Sequence, residues 1–389
     1  MKSKLLSLAL CCGLAHAQGT LTPPGAPAPT MKTLDQVEPR RPLVVGTLGV
    51  TIASPSGQIT ISQPGSYYLT GNLTVNGSDG IQINSSQVTL DLMGYTIRSI
   101  AAPGVLYGIM IGEVNNISIS NGVIAGGTSF SGGEFTPSTG FNRGVSSPSS
   151  ATNVRLSDLS INRMQGDGIN ITNSSFVKNC VVFICGGYGI FAGNVTDCMV
   201  ETTGVTGISA SMVSNSRVLN AGSTGIDAFQ VTDSRSSSRE ASGINATIVE
   251  NSRGVAQSTS TGSGISATKT SNSIGEVFAT TGTGIGISST VLTDSFGTSE
   301  ASHGISGDVI SNSRGRSNGV GSGIRGETVS NSYGYADPSA LHGIDADIVT
   351  NSIGRRETSV GSKFGISANR GNFCKVFNGE DILFKYNMP

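Results

Sequence analysis

Asp158, Arg163 and Asp167 lie within ten positions of one another, beside a segment rich in Gly and Ser. Two carboxylates and a guanidinium are residue types that general acid–base catalysis can use. The alternative is structural, because Asp167 precedes Gly168 and an Asp–Gly pair is typical of a turn. We regard the three residues as candidate catalytic residues and favour the turn interpretation.

Arg217, Arg235 and Arg253 recur at intervals of 18 residues. On successive strands their guanidinium groups would lie about 4.8 Å apart and repel one another unless negative charge lies across them. Glu240, Glu250 or an acidic polysaccharide could supply that charge, since arginine makes bidentate contacts with carboxylates and sulfates. The pattern indicates a ligand-binding stripe, with an exposed mixed surface as the favoured alternative.

Cys180 and Cys198 are 18 residues apart, and each follows an Asn or Asp of a predicted turn. Matching points of adjacent repeats lie about 4.8 Å apart, within the Cα range that a disulfide tolerates. We therefore predict a disulfide or a close thiol pair there, and not a nucleophile. A structural zinc site has little support, because the sequence contains no CxxC pair.

Apart from His16, the chain contains two histidines, His303 and His342, and each precedes a repeated glycine. The spacing places them two repeats apart, roughly 9.6 Å by strand spacing, which is too far for a shared metal ion. We interpret both as surface or turn residues. No metal site is predicted.

An internal repeat positions all of these residues. A Gly-Ile pair recurs every 18 to 22 residues, at Gly168, Gly189, Gly207, Gly225, Gly243, Gly264, Gly286, Gly304, Gly323, Gly343 and Gly365. Apolar residues alternate with polar ones after each glycine, as in Ile208, Ala210 and Val213. This alternation predicts short strands and leaves no room for a helix. Units stacked in register predict a solenoid.

An Asn or Asp lies eight residues after most of these glycines, and it is followed directly by Ser in all but one of these repeats. An amide turned inward at a bend can bond the coils above and below, so we predict a structural ladder. Its members are Asn215, Asp233, Asn251, Asn272, Asp294, Asn312, Asn331 and Asn351. A row of metal ligands is the poorer alternative, because the calcium-binding nonapeptide pattern of Gly-rich rolls is absent.

Coils of this length with an Asn ladder resemble the right-handed parallel β-helix of the pectin lyase-like superfamily. Three N-terminal pieces resemble the opening coils of bacterial right-handed β-helix repeat proteins, namely PGSYYL (64–69), DGI (79–81) and VTLDL (88–92). The phrase NISISNGVI (116–124) fits a further coil. The resemblance covers roughly residues 46 to 375 and implies an all-β, single-stranded right-handed parallel β-helix of about fourteen coils.

The resemblance is specific for fold and unspecific for chemistry. It implies that a lyase would use an arginine or lysine base beside calcium-holding carboxylates, and a hydrolase neighbouring aspartates. The sequence contains no Asn-Thr-Asp motif, Asp-Asp pair or Gly-His-Gly motif. We therefore predict no cofactor, with calcium relevant only to a lyase.

Composition and the N-terminal sequence limit the possible partners and indicate the cellular location. A net charge of -1 over 389 residues argues against nucleic-acid binding by bulk basicity. Lys2 and Lys4, a short apolar run and Ala15-His16-Ala17 predict a secretory signal peptide over 1–17. A lipid-anchored Cys11 or Cys12 is the rival interpretation. No transmembrane segment is predicted, because no apolar run is long enough to span a bilayer.

The predicted organisation is a single elongated β-helix behind a tether. A Pro-rich linker over 18–45 precedes an N-terminal cap and irregular first coils over 46–165, with a loop insertion at 125–150. Regular repeats occupy 166–365 and a C-terminal cap occupies 366–389.

For function, we favour a secreted or envelope protein, non-catalytic and monomeric, that presents a rigid face to polysaccharide or serves a structural or adhesive purpose. The alternative is a polysaccharide lyase or glycoside hydrolase. The missing motifs favour the first, whereas the frequency of carbohydrate enzymes on this fold keeps the second open. In either case the expected partner is a polysaccharide, with an acidic one suggested by the arginines.

Overall fold

The fold is a parallel β-helix. The structure, a computed structural model, describes residues 40–257, 261–357, 364–372, 374–377 and 382–384. All regular elements within them are β-strands, 39 in number. Of these, 37 join in one hydrogen-bonded sheet system and two form a separate hairpin. The stack has about 15 turns, which confirms the predicted all-β parallel β-helix.

The first strands build the N-terminal coils. β2 and β3 pair antiparallel, whereas β3, β4 and β5 begin the parallel stacking on later strands. These strands are β1 (Arg41–Pro42), β2 (Val50–Ile52), β3 (Ile59–Ile61), β4 (Gly65–Tyr68), β5 (Leu73–Val75), β6 (Ile81–Ile83), β7 (Val88–Asp91), β8 (Thr96–Ser99), β9 (Tyr107–Ile111) and β10 (Asn115–Ala125). The predicted signal peptide (1–17) and most of the predicted linker (18–45) lie outside the described residues.

The next strands carry the predicted insertion and the transition to regular coils. They are β11 (Ser129–Ser131), β12 (Glu134–Thr136), β13 (Arg143–Ser146), β14 (Thr152–Met164), β15 (Ile169–Asn170), β16 (Ser175–Lys178), β17 (Val181–Cys185), β18 (Ile190–Phe191), β19 (Asn194–Thr196) and β20 (Met199–Thr203). The middle of the predicted loop insertion is an antiparallel hairpin, β11–β12. The Phe130 ring in this hairpin contacts the guanidinium of Arg239 at 5.1 Å, so the hairpin reaches coils that follow much later in the chain.

From residue 208 onward, each coil consists of a seven-residue strand, a tight turn and a shorter strand. The longer strands are β21 (Ile208–Ser214), β23 (Ile226–Thr232), β25 (Ile244–Glu250), β27 (Ile265–Ser271), β29 (Ile287–Thr293), β31 (Ile305–Ser311), β33 (Ile324–Ser330), β35 (Ile344–Thr350) and β37 (Ile366–Asn372). The shorter ones are β22 (Arg217–Ala221), β24 (Arg235–Ser238), β26 (Arg253–Ala256), β28 (Ile274–Val277), β30 (Phe296–Ser299), β32 (Arg314–Ser317), β34 (Tyr333–Ala336), β36 (Ile353–Arg356) and β38 (Lys375–Phe377), followed by β39 (Ile382–Phe384). Parallel stacking continues past residue 365, because Ile366 pairs with Ile344.

The core is a narrow column of branched aliphatic side chains stacked on their equivalents in the next coil. Ile208, Ile226 and Ile244 pair in register and are fully buried. Like stacks on like because each coil repeats the same inward positions, so apolar area is removed from water at every step. The Gly-Ile repeat therefore specifies both the strand start and the core.

A serine ladder lines the interior turn, and the predicted inward direction of the Asn column is wrong. In each turn the backbone N–H of one serine donates to Oγ of the next serine along the stack, over 3.1–3.2 Å. The members are Ser216, Ser234, Ser252, Ser273, Ser295, Ser313, Ser332 and Ser352, all buried. These hydroxyls satisfy turn N–H groups that water cannot reach.

The Asn and Asp side chains beside this ladder point to solvent instead. The eight residues have φ between 43° and 50°, a left-handed conformation that Asn and Asp tolerate better than other residues with a side chain. The turn therefore selects these residue types for their backbone. Some of them still bond along the stack at the surface, since Asn272 Nδ2 donates to Asn251 Oδ1 at 2.7 Å.

Candidate ligand-binding face

The three predicted arginines form one column on adjacent short strands. Arg217 pairs with Arg235 and Arg235 with Arg253, so their side chains project from the same sheet. Arg253 Nε donates to Glu276 Oε2 at 2.8 Å. Glu276 therefore supplies the negative charge beside Arg253, and no ion pair joins the three arginines to Glu240 or Glu250 among the described residues.

The column continues beyond the predicted residues and has a second column beside it. We call the two together the arginine–aromatic face. The first column is Arg217, Arg235, Arg253, Ile274, Phe296, Arg314, Tyr333 and Ile353, and the second is Glu276, Thr298, Arg316, Tyr335 and Arg355. All of these side chains are exposed or half-buried. They include six arginines and one glutamate, so the face is strongly basic on a chain whose net charge is -1.

A glycine column separates the two columns and holds the short strands against the next coil. A Cβ added to Gly315 would lie 2.1 Å from the carbonyl oxygen of Gly323, and one on Gly334 would lie 2.0 Å from that of Gly343. Real Cβ atoms do not approach backbone so closely, which means that only glycine fits these positions. This close packing fixes the position of the strand backbone from which the arginine and aromatic side chains project.

Six residues at the C-terminal end of the face form what we call the three-ring cluster, namely Phe296, Arg314, Arg316, Tyr333, Tyr335 and Arg355. The Arg314 guanidinium lies between two rings, 6.0 Å from the centroid of Phe296 and 5.1 Å from that of Tyr333. In the second column the order is reversed. The Tyr335 ring lies between Arg316 at 5.2 Å and Arg355 at 5.7 Å. These distances are typical of cation–π contacts.

Acidic side chains lie at the margin of the cluster. Tyr335 Oη donates a short hydrogen bond to Glu357 Oε1. Burial raises the pKa of the Tyr335 hydroxyl above its usual range, and Glu357 and Asp337 raise it further. Tyr335 is therefore a neutral hydrogen-bond donor at ordinary pH.

A shallow pocket of about 390 Å³ opens beside the cluster. Its walls include Phe296, Arg314 and Ile274, together with residues of the exposed turns at Asn272, Asp294 and Asn312. The pocket thus combines one guanidinium and one carboxylate with apolar surface and amide groups. This combination can accommodate a polar ligand.

The candidate catalytic residues do not converge. Asp158 and Arg163 occupy two separate left-handed bends of β14, and Asp158 Oδ1 accepts a hydrogen bond from Asn179 at 2.6 Å. Asp167 is buried and forms an ion pair with Arg143 at 2.9 Å. Among the described residues, no contact joins the three candidates. Their geometry agrees with the turn and structural interpretation.

Cys180 and Cys198 are in contact but not joined. Both are free thiols, and the Cys180 backbone N–H donates to Cys198 Sγ at 3.5 Å. The Cys198 N–H in turn donates to Ser216 Oγ at 3.2 Å. The pair therefore extends the serine ladder by two coils, and the disulfide candidate is present as a close thiol pair. The hydrogen bond with Cys198 and burial raise the pKa of Cys180, which keeps this thiol protonated.

The two histidines lie in turns two coils apart, each bonded to the coil that follows it. His303 Nδ1 accepts the N–H of Ser322 at 2.8 Å, and His342 Nδ1 accepts the N–H of Phe364 at 3.0 Å. Both are thus turn residues, as interpreted from the sequence. In the part of the chain that the structure describes, no three His, Cys, Asp or Glu side chains lie close enough to hold a metal ion.

A second concave site escaped the sequence analysis, and we call it the acidic groove. It has a volume of about 490 Å³ and crosses β31, β33, β35 and β37. Its charged lining consists of Asp308, Arg325, Glu327, Asp345 and Asp347. These residues lie in three different repeats, two or four positions after the repeated glycine. Aligning the repeats by glycine would have shown the acidic columns.

No family model matches this chain, and no curated protein matches it. Solved structures with some similarity include the A-modules of two mannuronan C-5 epimerases from Azotobacter vinelandii. The AlgE4 module is 12% identical, with a TM-score of 0.29, and the match covers 82% of this chain and 89% of the module. The AlgE6 module is 9% identical, with a TM-score of 0.30, and the match covers 82% of this chain and 92% of the module. Tailspike protein 2 of the Escherichia coli O157:H7 bacteriophage CAB120 is 11% identical and has a TM-score of 0.15. The match covers 81% of this chain and 38% of the tailspike chain. Similarity this low says nothing about the function of this chain.

Proposed function

We propose that this chain is an exported, non-catalytic β-helix protein that binds an acidic polysaccharide along the arginine–aromatic face. One observation supports the proposal above the others. Six arginines and a single glutamate occupy the outward columns of consecutive short strands between residues 217 and 355. Such a one-sided charge is complementary to a polyanion.

The regularity of the fold favours a polymer over a small ligand. Adjacent coils repeat their outward positions about every 4.8 Å, and strand pairing holds them in fixed register. A linear chain that carries a negative group on each sugar can contact several arginines at once, which multiplies weak contacts into useful affinity. Arginine suits this because its planar fork matches a carboxylate or a sulfate.

Export is part of the proposal and rests on the N-terminal sequence, which lies outside the described residues. Within the residues that are described, no helix is long and apolar enough to cross a membrane.

Binding of residues 18–389 to immobilised polyuronates, sulfated glycans and neutral glycans tests the proposal. We expect binding to the acidic polymers at low salt, weakening as salt screens the arginines. The triple variant R217S/R235S/R253S should bind more weakly because it removes half of the positive charge. Equal binding to neutral and acidic polymers, or none to either, would rule the proposal out.

The acidic groove supports a second candidate, a polysaccharide lyase or glycoside hydrolase. Glu327 lies on β33 between Asp308 on β31 and Asp347 on β35, so carboxylates from successive coils share one concave surface with Arg325. Paired carboxylates are what glycoside hydrolysis requires. Product analysis after incubation with acidic and neutral polysaccharides tests this candidate. Shortened chains that disappear with E327Q would establish an enzyme, and an unsaturated end would identify a lyase.

A further inference from the structure

We infer that the three-ring cluster is a discrete subsite that recognises the carboxylate or sulfate group of a sugar unit, and not the sugar ring. This inference rests on the proposed function and specifies the chemistry of the same face. It also assigns different tasks to the side chains. Arg314, Arg316 and Arg355 bind the anion, whereas Phe296, Tyr333 and Tyr335 are positioning residues.

The first argument concerns the ring faces. Aromatic residues usually bind sugars by offering a free face, but Tyr335 has a guanidinium on each side, at 5.2 and 5.7 Å. Arg314 lies between the two remaining rings, at 6.0 and 5.1 Å. The rings therefore contact guanidinium groups along the stack. Their main effect is to hold the long arginine side chains in place, which lowers the entropy lost when a ligand binds.

The second argument concerns the charges themselves. The ion pairs in the described part of the chain include Arg143 with Asp167 and Arg253 with Glu276, but none involves a guanidinium of the three-ring cluster. Arg316 Nε donates to the neutral amide of Asn318 at 2.8 Å. Arg355 Nε is buried and lacks a hydrogen-bond partner among the described residues. A buried donor without a partner is costly, and an incoming anion can satisfy it.

The third argument concerns two neighbouring acids, Glu357 and Glu300, whose carboxylates are already engaged in hydrogen bonds. Glu357 accepts from the Tyr335 hydroxyl, and Glu300 Oε1 accepts from Asn318 Nδ2 at 2.7 Å. These bonds hold the carboxylates at the edge of the face and away from the guanidinium groups. The pocket beside Arg314 then leaves room for a sugar ring next to its bound anionic group.

Calorimetric titration with a short, size-defined oligouronate and a sulfated oligosaccharide of similar length tests the inference. The double variant R316K/R355K keeps both charges but loses the planar fork, so we expect affinity to fall about tenfold. Y335L removes the ring between the two arginines and should have a similar effect. Y335F keeps the ring but releases the Glu357 carboxylate, so it should bind more weakly than the wild type and more tightly than Y335L. Thermal unfolding of each variant shows whether the coil remains intact.

The outcomes separate this inference from the proposed function. If the wild type binds acidic polymers and Y335L and R316K/R355K bind equally well, the subsite is wrong while the proposed function stands. Failure of the wild type to bind any acidic polymer at low salt would remove both. Equal affinity for a neutral oligosaccharide, or tighter binding of single-stranded nucleic acid, would also overturn the inference. Preference between the uronate and the sulfate decides which anion the site takes.

Discussion

The C-terminal part of the arginine–aromatic face and the acidic groove lie on the same coils and carry opposite charge. Between residues 296 and 357 the short strands present Arg314, Arg316 and Arg355, whereas the long strands present mostly carboxylates, with Arg325 as the exception. Backbone geometry is repeated in both regions, so the fold alone does not choose a ligand. The choice comes from which residue type occupies each outward column.

The two regions also differ in how their charged groups are held. In the face, rings fix the guanidinium groups along the stack. In the groove, Asp347 Oδ1 accepts a hydrogen bond from Asn369 at 2.8 Å, and no ring contact orders the acidic side chains in the described residues. Pre-ordered groups lose less entropy on binding. The face is therefore the better candidate for tight binding of a polyanion.

Charge reversal on the arginine–aromatic face should have the largest effect on polyuronate binding. R314E/R316E/R355E places carboxylates where we expect the ligand anions, and like-charge contact costs several kcal/mol, so binding to a polyuronate should fall by at least about a hundredfold. The matched reversal D308K/E327K/D347K in the groove should not weaken it. Surface plasmon resonance at low salt measures both. A groove variant that weakens binding as much as the face variant would mean that the comparison is mistaken.

Gly315→Ala tests how the face is built. Its Cβ would lie 2.1 Å from the Gly323 carbonyl oxygen, so we expect unfolding in urea to show a loss of about 1–3 kcal/mol, together with weaker polyuronate binding. Gly71→Ala is the control, since nothing lies within 4 Å of its Cβ position. If the two variants are equally stable, the glycine column does not set the strand position.

The stability of the fold should depend on pH through His303, whose titration is influenced by Arg325 and Asp345 of the acidic groove. Burial lowers the pKa of His303 from 6.5, nearby Arg325 lowers it further and Asp345 opposes both. The unfolded chain then binds the proton more readily, so stability should fall as pH drops below about 6.5 towards the folded pKa. His303→Asn keeps an acceptor for the Ser322 N–H and removes the titration. Urea midpoints at several pH values should therefore vary less in this variant, and an unchanged pH dependence would exclude His303 as the cause.

Cys198→Ser should have the smallest effect, because it converts the column to the residue found in later coils. Ser Oγ can accept the Cys180 N–H as Sγ does, so stability should change by less than about 1 kcal/mol. Cys198→Val is similar in volume but leaves that N–H without an acceptor, and should cost about 1–3 kcal/mol. Equal stability of the two variants would show that the ladder bond is unimportant there.

The repeat made the fold predictable, because every coil needs the same inward residues in the same order. The Gly-Ile spacing located the long strands, and the 18-residue interval correctly stacked Arg217 on Arg235. The direction of the Asn column was not predictable from hydrogen-bonding capacity alone. A left-handed turn selects Asn through its backbone, while the smaller Ser216 fits the interior.

The residues of a candidate site were predictable from the sequence only where they occupy the same position in successive repeats. Arg314 lies between Phe296 and Tyr333 in the arginine column, but their contact depends on strand register. Asp158 and Asp167 are close in sequence, yet a bend after every few residues turns them towards different surroundings. In a solenoid, neighbours in space are about one repeat apart, so short-range clustering of charges is a poor guide to a site.

Arginine-selective dicarbonyl modification, read by mass spectrometry with and without a polyuronate, tests the central claim most directly. Arg314 and Arg316 on the face and Arg325 in the acidic groove are all exposed, so each reports on its own region. We predict that the polyuronate protects Arg314 and Arg316 and leaves the modification of Arg325 unchanged. Protection of Arg325 alone, or binding without protection of the face, would contradict the account.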